Sequence, residues 1–410
     1  MGELVHVPFA APSSRTGGPG PEPFGPEGHL PEREQTRLWQ LVWAQCPGIG
    51  WQRLRRLEAM FGNLALAWQA SPEELGHALG GSTQLSPSDR QQLTAYRQAL
   101  GPLPIGHPPS QEQRRQWATP GCLIAGDRAF PKALLALDRP PLRLFWQGRG
   151  SLWPRLRAQA AVAVVGTRRP SRHGATMARA IGRALAEAGW PVVSGLAEGI
   201  DAAAHQGCLE AGGRPVAVLG TPLERVYPRH HRALQADVAK QGLLISELPA
   251  GTPGRAGHFA LRNRLQVGLA RAVVLVECPQ TSGALHSANL AWELGMPLWV
   301  VPADASRVSA AGSNRWLGQG ATPLLDPTDL LNSLGAGPLR QPQATEASAN
   351  HQAPLLNREA ALLAALGAGA SLDQLCERLR QNPAVLSERL LRLELAGLLH
   401  SEPGLWWRPC

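Results

Sequence analysis

"AVAVVGTRRPSRHGATMARAIGRALAEAG", residues 161–189, joins an unbroken apolar run to a helical pattern through a short basic turn. Residues 161–165 are apolar at every position, which suits a strand covered on both faces; a strand with one wet face alternates. From Gly174 the period changes. Met177, Ile181, Ala184, Leu185 and Ala188 then share one helical face, with Arg179, Arg183 and Glu187 opposite. A strand feeding a helix through Gly166, Thr167, Arg168 and Arg169 opens a βαβ unit, and such turns offer backbone N–H groups to an anion.

The same grammar repeats. Apolar runs at 161–165, 191–194, 215–219, 243–246, 272–277 and 297–301 alternate with helical stretches. Such runs predict a parallel sheet with helices on both faces, hence an α/β fold with a Rossmann-like core over about residues 120–330.

The chain has 410 residues, 44% of them hydrophobic, enough for two or three domains with full cores. Its net charge of +9 points to an anionic partner. Of the 40 basic residues only Lys132 and Lys240 are lysines, a bias that reflects genome composition more than recognition. Cys46, Cys122, Cys208, Cys278, Cys376 and Cys410 stand far apart with no CxxC, so neither a zinc site nor a disulfide framework is expected. No basic leader with a long apolar stretch opens the chain, and no run reaches membrane-spanning length. The expectation is a cytoplasmic protein with no membrane contact.

Around the core, residues 1–33 are rich in Pro and Gly and predict a disordered arm. Residues 34–100 form a helical module of helix-hairpin-helix or SAM-like kind, with Leu38, Leu41 and Val42 on one face and Leu54, Leu57, Met60 and Phe61 on another. Between these helices, Pro47-Gly48-Ile49-Gly50 is either a phosphate-binding hairpin followed by Arg53, Arg55 and Arg56, or a tight turn that needs glycine. Polar, proline-containing residues 101–118 and residues 335–354 read as linkers. Residues 355–410 give three short helices and a hairpin near 402–404, the order of a winged helix. Its third helix, 383–396, is where a DNA-reading helix would lie; Glu388 and Glu394 favour protein contact or packing instead.

Ligands of open α/β sheets bind beyond the strands' carboxyl ends. Those ends deliver Gly166, Thr167, Arg168 and Arg169; then Ser194, Gly195 and Gly199; then Arg229, His230 and His231; and finally Ser282 and Gly283 at a helix start. Ahead of the fifth run stand Arg262, Asn263 and Arg264. Alone, that triplet reads as surface ion pairs; gathered with the other arginines it favours an anionic polymer. Tyr227 and Phe259 are the candidate base-stacking residues. Neither GxGxxG nor GxxxxGK[ST] follows any run, so no nucleotide cofactor is expected. Asp201 and His205, one turn apart, form a weak acid–base pair, with Asp201 well placed as a helix cap.

"AVAVVGTRRPSRHG", "VVSGLAEGIDAAAHQGCLEAGGRPVAVLG", "YPRHHRAL", "LLISELPAGTPGRAGHFALRNRLQVGLARAVVLVE" and "TSGALHSANLAWELGMPLWVVPA" together resemble the DNA-processing protein A (DprA/Smf) family in order and spacing over about 120–330. The resemblance implies a non-enzymatic, homodimeric protein that binds single-stranded DNA in natural transformation and loads the RecA recombinase. By position it implies that Arg168 contacts phosphate, that Arg229 is the basic residue after Tyr-Pro, and that 262–264 is the family's RNR element. Three departures stand out: His230 and His231 where an asparagine is common, Ala303 where the loop after the last strand has glycine, and no serine ahead of residues 272–277. Two rival readings stand beside this one. One is a nucleotide phosphoribohydrolase of lysine-decarboxylase-like fold, although its Pro-Gly-Gly-x-Gly-Thr turn is missing; the other is a protein-binding adaptor acting through the winged helix.

Overall fold

The computed structural model of the chain describes residues 32–80, 85–101, 121–340, 359–395, 398–402 and 406–409. The expected arm lies outside these except for Glu32 and Arg33, which already belong to the first helix, Glu32–Gln45. Most of the two expected linkers also lies outside them. The chain forms two compact units, Met1–Leu339 and Arg340–Cys410.

In the first unit the six expected strands are present: β3 (Val162–Val165), β4 (Val192–Ser194), β5 (Pro215–Val218), β6 (Leu243–Ser246), β7 (Ala272–Leu275) and β8 (Leu298–Val300). They pair in parallel, flanked by β1 (Cys122–Ile124) and β2 (Arg143–Gly148) at one edge and β9 (Thr322–Pro323) at the other, in the order β1-β2-β6-β5-β4-β3-β7-β8-β9. The sheet is mixed rather than wholly parallel, because β2 runs antiparallel to both β1 and β6. Side chains along each central strand divide between two cores. Val162 and Val164 pack with Ile181, Leu185 and Ile200 on one face, while Ala163 and Val165 pack with Leu265, Ala284 and Ala288 on the other. That division explains why the strands read as continuous apolar runs.

Among the described residues five helices build the amino-terminal module around Trp43, Leu57, Trp68 and Leu75. Met60, expected on the apolar face, is 54% exposed, whereas Leu54 and Leu57 of the same helix, Trp51–Phe61, are buried and Phe61 packs against the module's core. The module is fastened to the sheet by Arg37, whose guanidinium meets Asp127 at 2.6 Å, and by Leu41, packed on Ile124 and Phe145. The expected linker from 335 begins instead as a docked segment. Trp190 donates to the Gly335 carbonyl at 2.9 Å, and Leu339 N–H donates to that of Gly189.

The second unit has helices Ala360–Leu366, Leu372–Leu379 and Pro383–Leu395, with β10 (Ala370–Ser371), β11 (Leu399–Glu402) and β12 (Trp406–Pro409) in the order β10-β12-β11, the pattern of a winged helix. On the third helix, Arg392 pairs with Glu388 at 2.9 Å and Arg389 pairs with Glu359.

Candidate nucleic-acid interface

From β3 the chain steps through β4, β5 and β6 toward one edge, then returns to place β7 on the other side of β3. At this switch the loops after β3 and β7 diverge, and a cleft of about 770 Å³ opens at the strands' carboxyl ends. Gly166 to Arg169 form one side, Pro279, Ser282 and Gly283 another, and the helix Ala256–Gly268 a wall.

The turn after β3 leads into a helix start that the chain's own carboxylate fills. Glu277, which follows β7 and is buried, fills the start of the helix Arg172–Glu187: its carboxylate accepts from Ser171 N–H at 3.1 Å, Ser171 Oγ at 2.7 Å and Ser309 Oγ at 2.5 Å. Thr167 N–H donates to the Glu277 carbonyl at 2.7 Å, and Arg169 N–H donates to Thr167 Oγ1 at 3.2 Å. The chain's own carboxylate thus occupies the place where a dinucleotide's pyrophosphate would sit. Gly166 is needed for packing, since an added Cβ would lie 2.6 Å from Ile200 and 2.8 Å from the Glu277 carbonyl. The cations exposed at the cleft are side chains, Arg168 and Arg169.

Arg168 and Arg169 are exposed at the cleft. The Arg168 guanidinium lies over the Phe259 ring at 5.3 Å, and Phe259 meets Tyr227 at 4.9 Å between centroids. This joins the predicted phosphate contact to both predicted stacking residues in one ladder that ends at Tyr227, which is 45% exposed.

The triplet 262–264 separates, because successive helical residues point about 100° apart. Arg262 turns inward beneath the cleft, where its guanidinium donates to the Val218 carbonyl and faces Asp201 at 3.5 Å. Burial pushes its pKa down to about 10, with Asp201 opposing and Arg168 adding to the shift, so it stays charged at neutral pH. Gly195 is glycine because a Cβ there would overlap this guanidinium, and its N–H donates to Asp201 at 3.1 Å. Asn263 donates to the Gly283 carbonyl at 3.1 Å and ties the helix to the loop after β7. Arg264 leaves the cleft altogether: it binds Glu247 through two contacts of 2.6 and 2.7 Å and donates to the Arg139 carbonyl. Ser194, expected among the DNA-binding residues, is wholly buried, with its hydroxyl donating to the Val164 carbonyl at 2.6 Å.

Arg229 is exposed on a short turn beside the loop after β4 and is not part of the cleft lining. That turn is anchored by His231, whose Nδ1 is 3.0 Å from the carbonyl of Leu196, a buried residue held at φ 56°. Ser282 accepts from Ala284 N–H at 3.2 Å and starts the helix Ala284–Glu293, while a Cβ on Gly283 would meet nothing within 4 Å. Ala303 has no positive φ and is clamped by Asn314, so its loop accepts alanine without strain. Asp201 and His205 are both buried, and desolvation pushes the Asp201 carboxyl up and the imidazole down to about 3. At the amino-terminal hairpin, Arg53 donates to the Gly48 carbonyl and binds Asp89, each at 2.8 Å, and Arg55 binds Glu58, so two of the three arginines are already engaged.

Sequence reasoning missed Glu277, Gln266, Ser287 and Ser309, all at the cleft or just beneath it. Only Glu277 left a signal, a lone acid ending an apolar run. Among the described residues no His, Cys, Asp and Glu cluster could hold a metal, and no helix is long and apolar enough to cross a membrane.

The family model described as DNA recombination-mediator protein A matches residues 121–335, and that of the DprA winged helix domain matches residues 345–404. Protein Smf of Synechocystis sp. is 34% identical over 398 residues, spanning 90% of this chain and 98% of that protein. DNA processing protein DprA of Bacillus subtilis is 32% identical over 219 residues, spanning 53% and 72% respectively. The X-ray structure of DNA processing protein A from Streptococcus pneumoniae aligns with a TM-score of 0.58 at 24% identity, covering 73% of this chain and 97% of that one, a likeness of fold.

Proposed function

The chain belongs to the DNA recombination-mediator protein A (DprA/Smf) family, and on that premise we propose that it binds single-stranded DNA at the switch-point cleft. In this reading it acts in the cytoplasm during natural transformation, shields the incoming strand and delivers it to the RecA recombinase, without catalysing a reaction itself. The observation that carries the reading is the Arg168–Phe259–Tyr227 ladder at the mouth of a cleft whose helix start is already filled by Glu277. A cation for phosphate beside aromatic faces for bases is what sequence-tolerant single-strand binding uses. A concave cleft also suits a flexible strand with splayed bases better than a rigid duplex.

Two copies of the chain would present two such clefts to one strand, so that modest contacts add through effective concentration. Arg229, exposed on the neighbouring turn, extends the path of the backbone. The non-catalytic reading draws on the state of the acid–base pair read from the sequence: Asp201 is engaged with Arg262 and Gly195, and His205 is buried and neutral.

The test is fluorescence anisotropy with a labelled single strand and unlabelled duplex as competitor. Poor displacement by duplex supports the reading, and equal displacement contradicts it. Adding the protein to RecA and a strand coated with single-strand-binding protein is expected to speed filament formation, while a nucleoside monophosphate is expected to release no base.

A further inference from the structure

The amino ends of the strands, opposite the cleft, carry a row of cations. Arg155 and Arg157 stand on the helix Trp153–Arg157, which leads through a short turn into β3, and Arg271 immediately precedes β7. Backbone bonds hold these segments together: Ala160 N–H donates to the Arg155 carbonyl and Arg271 N–H to that of Ala161, each at 2.8 Å. Gln159 ties the same turn to the carbonyls of Gly268 and Ala270, both at 3.4 Å. Further along the sheet Arg214 precedes β5, and Arg149 and Lys240 flank the start of β6, where Arg149 N–H donates to the Gly242 carbonyl at 2.7 Å.

Arg214 is half-buried and the other five cations are exposed. Among the described residues none of them is paired with a carboxylate. Arg149 donates to the Lys240 carbonyl at 3.3 Å, and Arg214 to those of Gly212 and Gly213 at 3.3 and 3.4 Å, bonds to neutral groups that leave the charge uncompensated. Glu187 and Glu293, which end helices on this side, and Asp237 on the helix before β6 are fewer than the cations.

We propose that this row is a second DNA site, separate from the cleft, and that it takes the phosphate backbone of a duplex. Neighbouring strands lie about 4.8 Å apart, so the row from β6 across β5, β4 and β3 to β7 is about 19 Å long. That length reaches phosphates on both sides of a major groove about 12 Å wide. The aromatic residues of these lead-in segments, Trp153 and Trp190, are 3% and 5% exposed and present no face to a base. Single-strand sites set aromatic faces beside their cations, whereas cations alone read backbone. The four residues of β3, about 13 Å of chain, separate the row from Arg168, more than the screening length of about 8 Å at physiological salt. A strand in the cleft therefore leaves the field of the row in place, and one chain can hold a single strand and a duplex together. The inference goes beyond the single-strand reading, and neither requires the other.

The experiment uses the full chain, a labelled duplex, a labelled single strand and anisotropy over a salt series. In the variant Arg155→Gln/Arg157→Gln/Arg271→Gln, duplex affinity is expected to fall at least about tenfold, with a log–log slope shallower by about 2.7, three phosphate contacts at about 0.9 each. Its single-strand affinity and slope are expected to stay those of the parent. The matching variant Arg155→Lys/Arg157→Lys/Arg271→Lys keeps the charge and is expected to keep the parent's duplex slope, which separates loss of charge from loss of fold. Arg168→Ala is expected to leave duplex binding unchanged.

An unchanged duplex slope in the glutamine variant overturns the inference and moves the duplex elsewhere on the chain. Equal losses for single strand and duplex in that variant, with melting temperature retained, also overturn it, because the row would then serve the same strand as the cleft. Absence of duplex binding by the parent at low salt overturns it and leaves the single-strand reading standing. Duplex binding lost in the glutamine variant and kept in the lysine variant, in a parent that binds no single strand, supports this inference and overturns the single-strand reading alone.

Discussion

The guanidinium of Arg168 sits 5.3 Å from the centroid of Phe259, so the turn after β3 and the helix Ala256–Gly268 meet through a cation and a ring rather than through backbone. The cation stands exposed at the cleft mouth, and among the described residues no acidic side chain pairs with it.

Replacing Phe259 with leucine removes the ring but no charge. Affinity for a single strand is expected to fall about fivefold to tenfold, within the range of one stacked base, with the salt dependence unchanged. Anisotropy at three or more salt concentrations separates the two quantities. A changed slope would show that Phe259 acts by positioning Arg168 on phosphate.

Arg262 and Arg264 should differ in what their loss costs despite their spacing. Arg264→Ala breaks the two contacts to Glu247 and the bond to the Arg139 carbonyl, costing on the order of 1–3 kcal/mol of stability with DNA affinity within twofold of the parent. Arg262→Ala leaves Asp201 buried without its cation and is expected to cost roughly 3–5 kcal/mol. Urea denaturation and anisotropy on both variants check this. Loss of DNA affinity in folded Arg264→Ala would place that arginine back in the interface.

Such divergence marks where the sequence stops being readable. The central strands could be read because burial on both faces leaves an apolar signature at every position. The edge pair β1 and β2 could not, since neither is buried at every position: Leu123 is half-buried, and Arg143–Gly148 ends in exposed positions. Strand order and loop composition brought Gly166, Arg168 and Ser282 to one cleft, and the stacking role given to Tyr227 and Phe259 rested on their proximity to these turns. Which arginine of 262–264 faces inward depends on the helix's rotation against the sheet, a tertiary fact. Glu277 reaches Ser171 across 106 residues, a separation that no local pattern encodes.

Glu277→Ala is expected to loosen the start of the helix Arg172–Glu187. Three charge-assisted hydrogen bonds disappear and leave the Ser171 N–H without its acceptor, a loss of on the order of 3 kcal/mol. Hydrogen exchange should show the loss confined to residues 167–175 and the turn around Ser309. Unchanged exchange there would mean that water replaces the carboxylate at no cost.

Stability should also fall in mild acid through His205. Burial lowers its pKa from 6.5 to about 3, so between those values the unfolded chain takes up a proton that the folded chain refuses. The contribution is complete above pH 6.5 and declines as pH drops below it, at most about 1.4 kcal/mol per pH unit, while the raised Asp201 carboxyl works in the opposite sense. Urea melts at pH 7 and pH 4.5 should show a smaller loss in His205→Leu than in the parent. Equal losses would mean that His205 is protonated in the folded state.

The most direct test of the proposal that the cleft binds DNA is the salt dependence of single-strand affinity in the parent and in Arg168→Ala. The parent's affinity is expected to fall steeply with salt, and the variant to bind roughly tenfold more weakly with a log–log slope shallower by about 0.7, one phosphate contact on a single strand. Superimposable curves would contradict the account and move the DNA site away from the β3–β7 switch point.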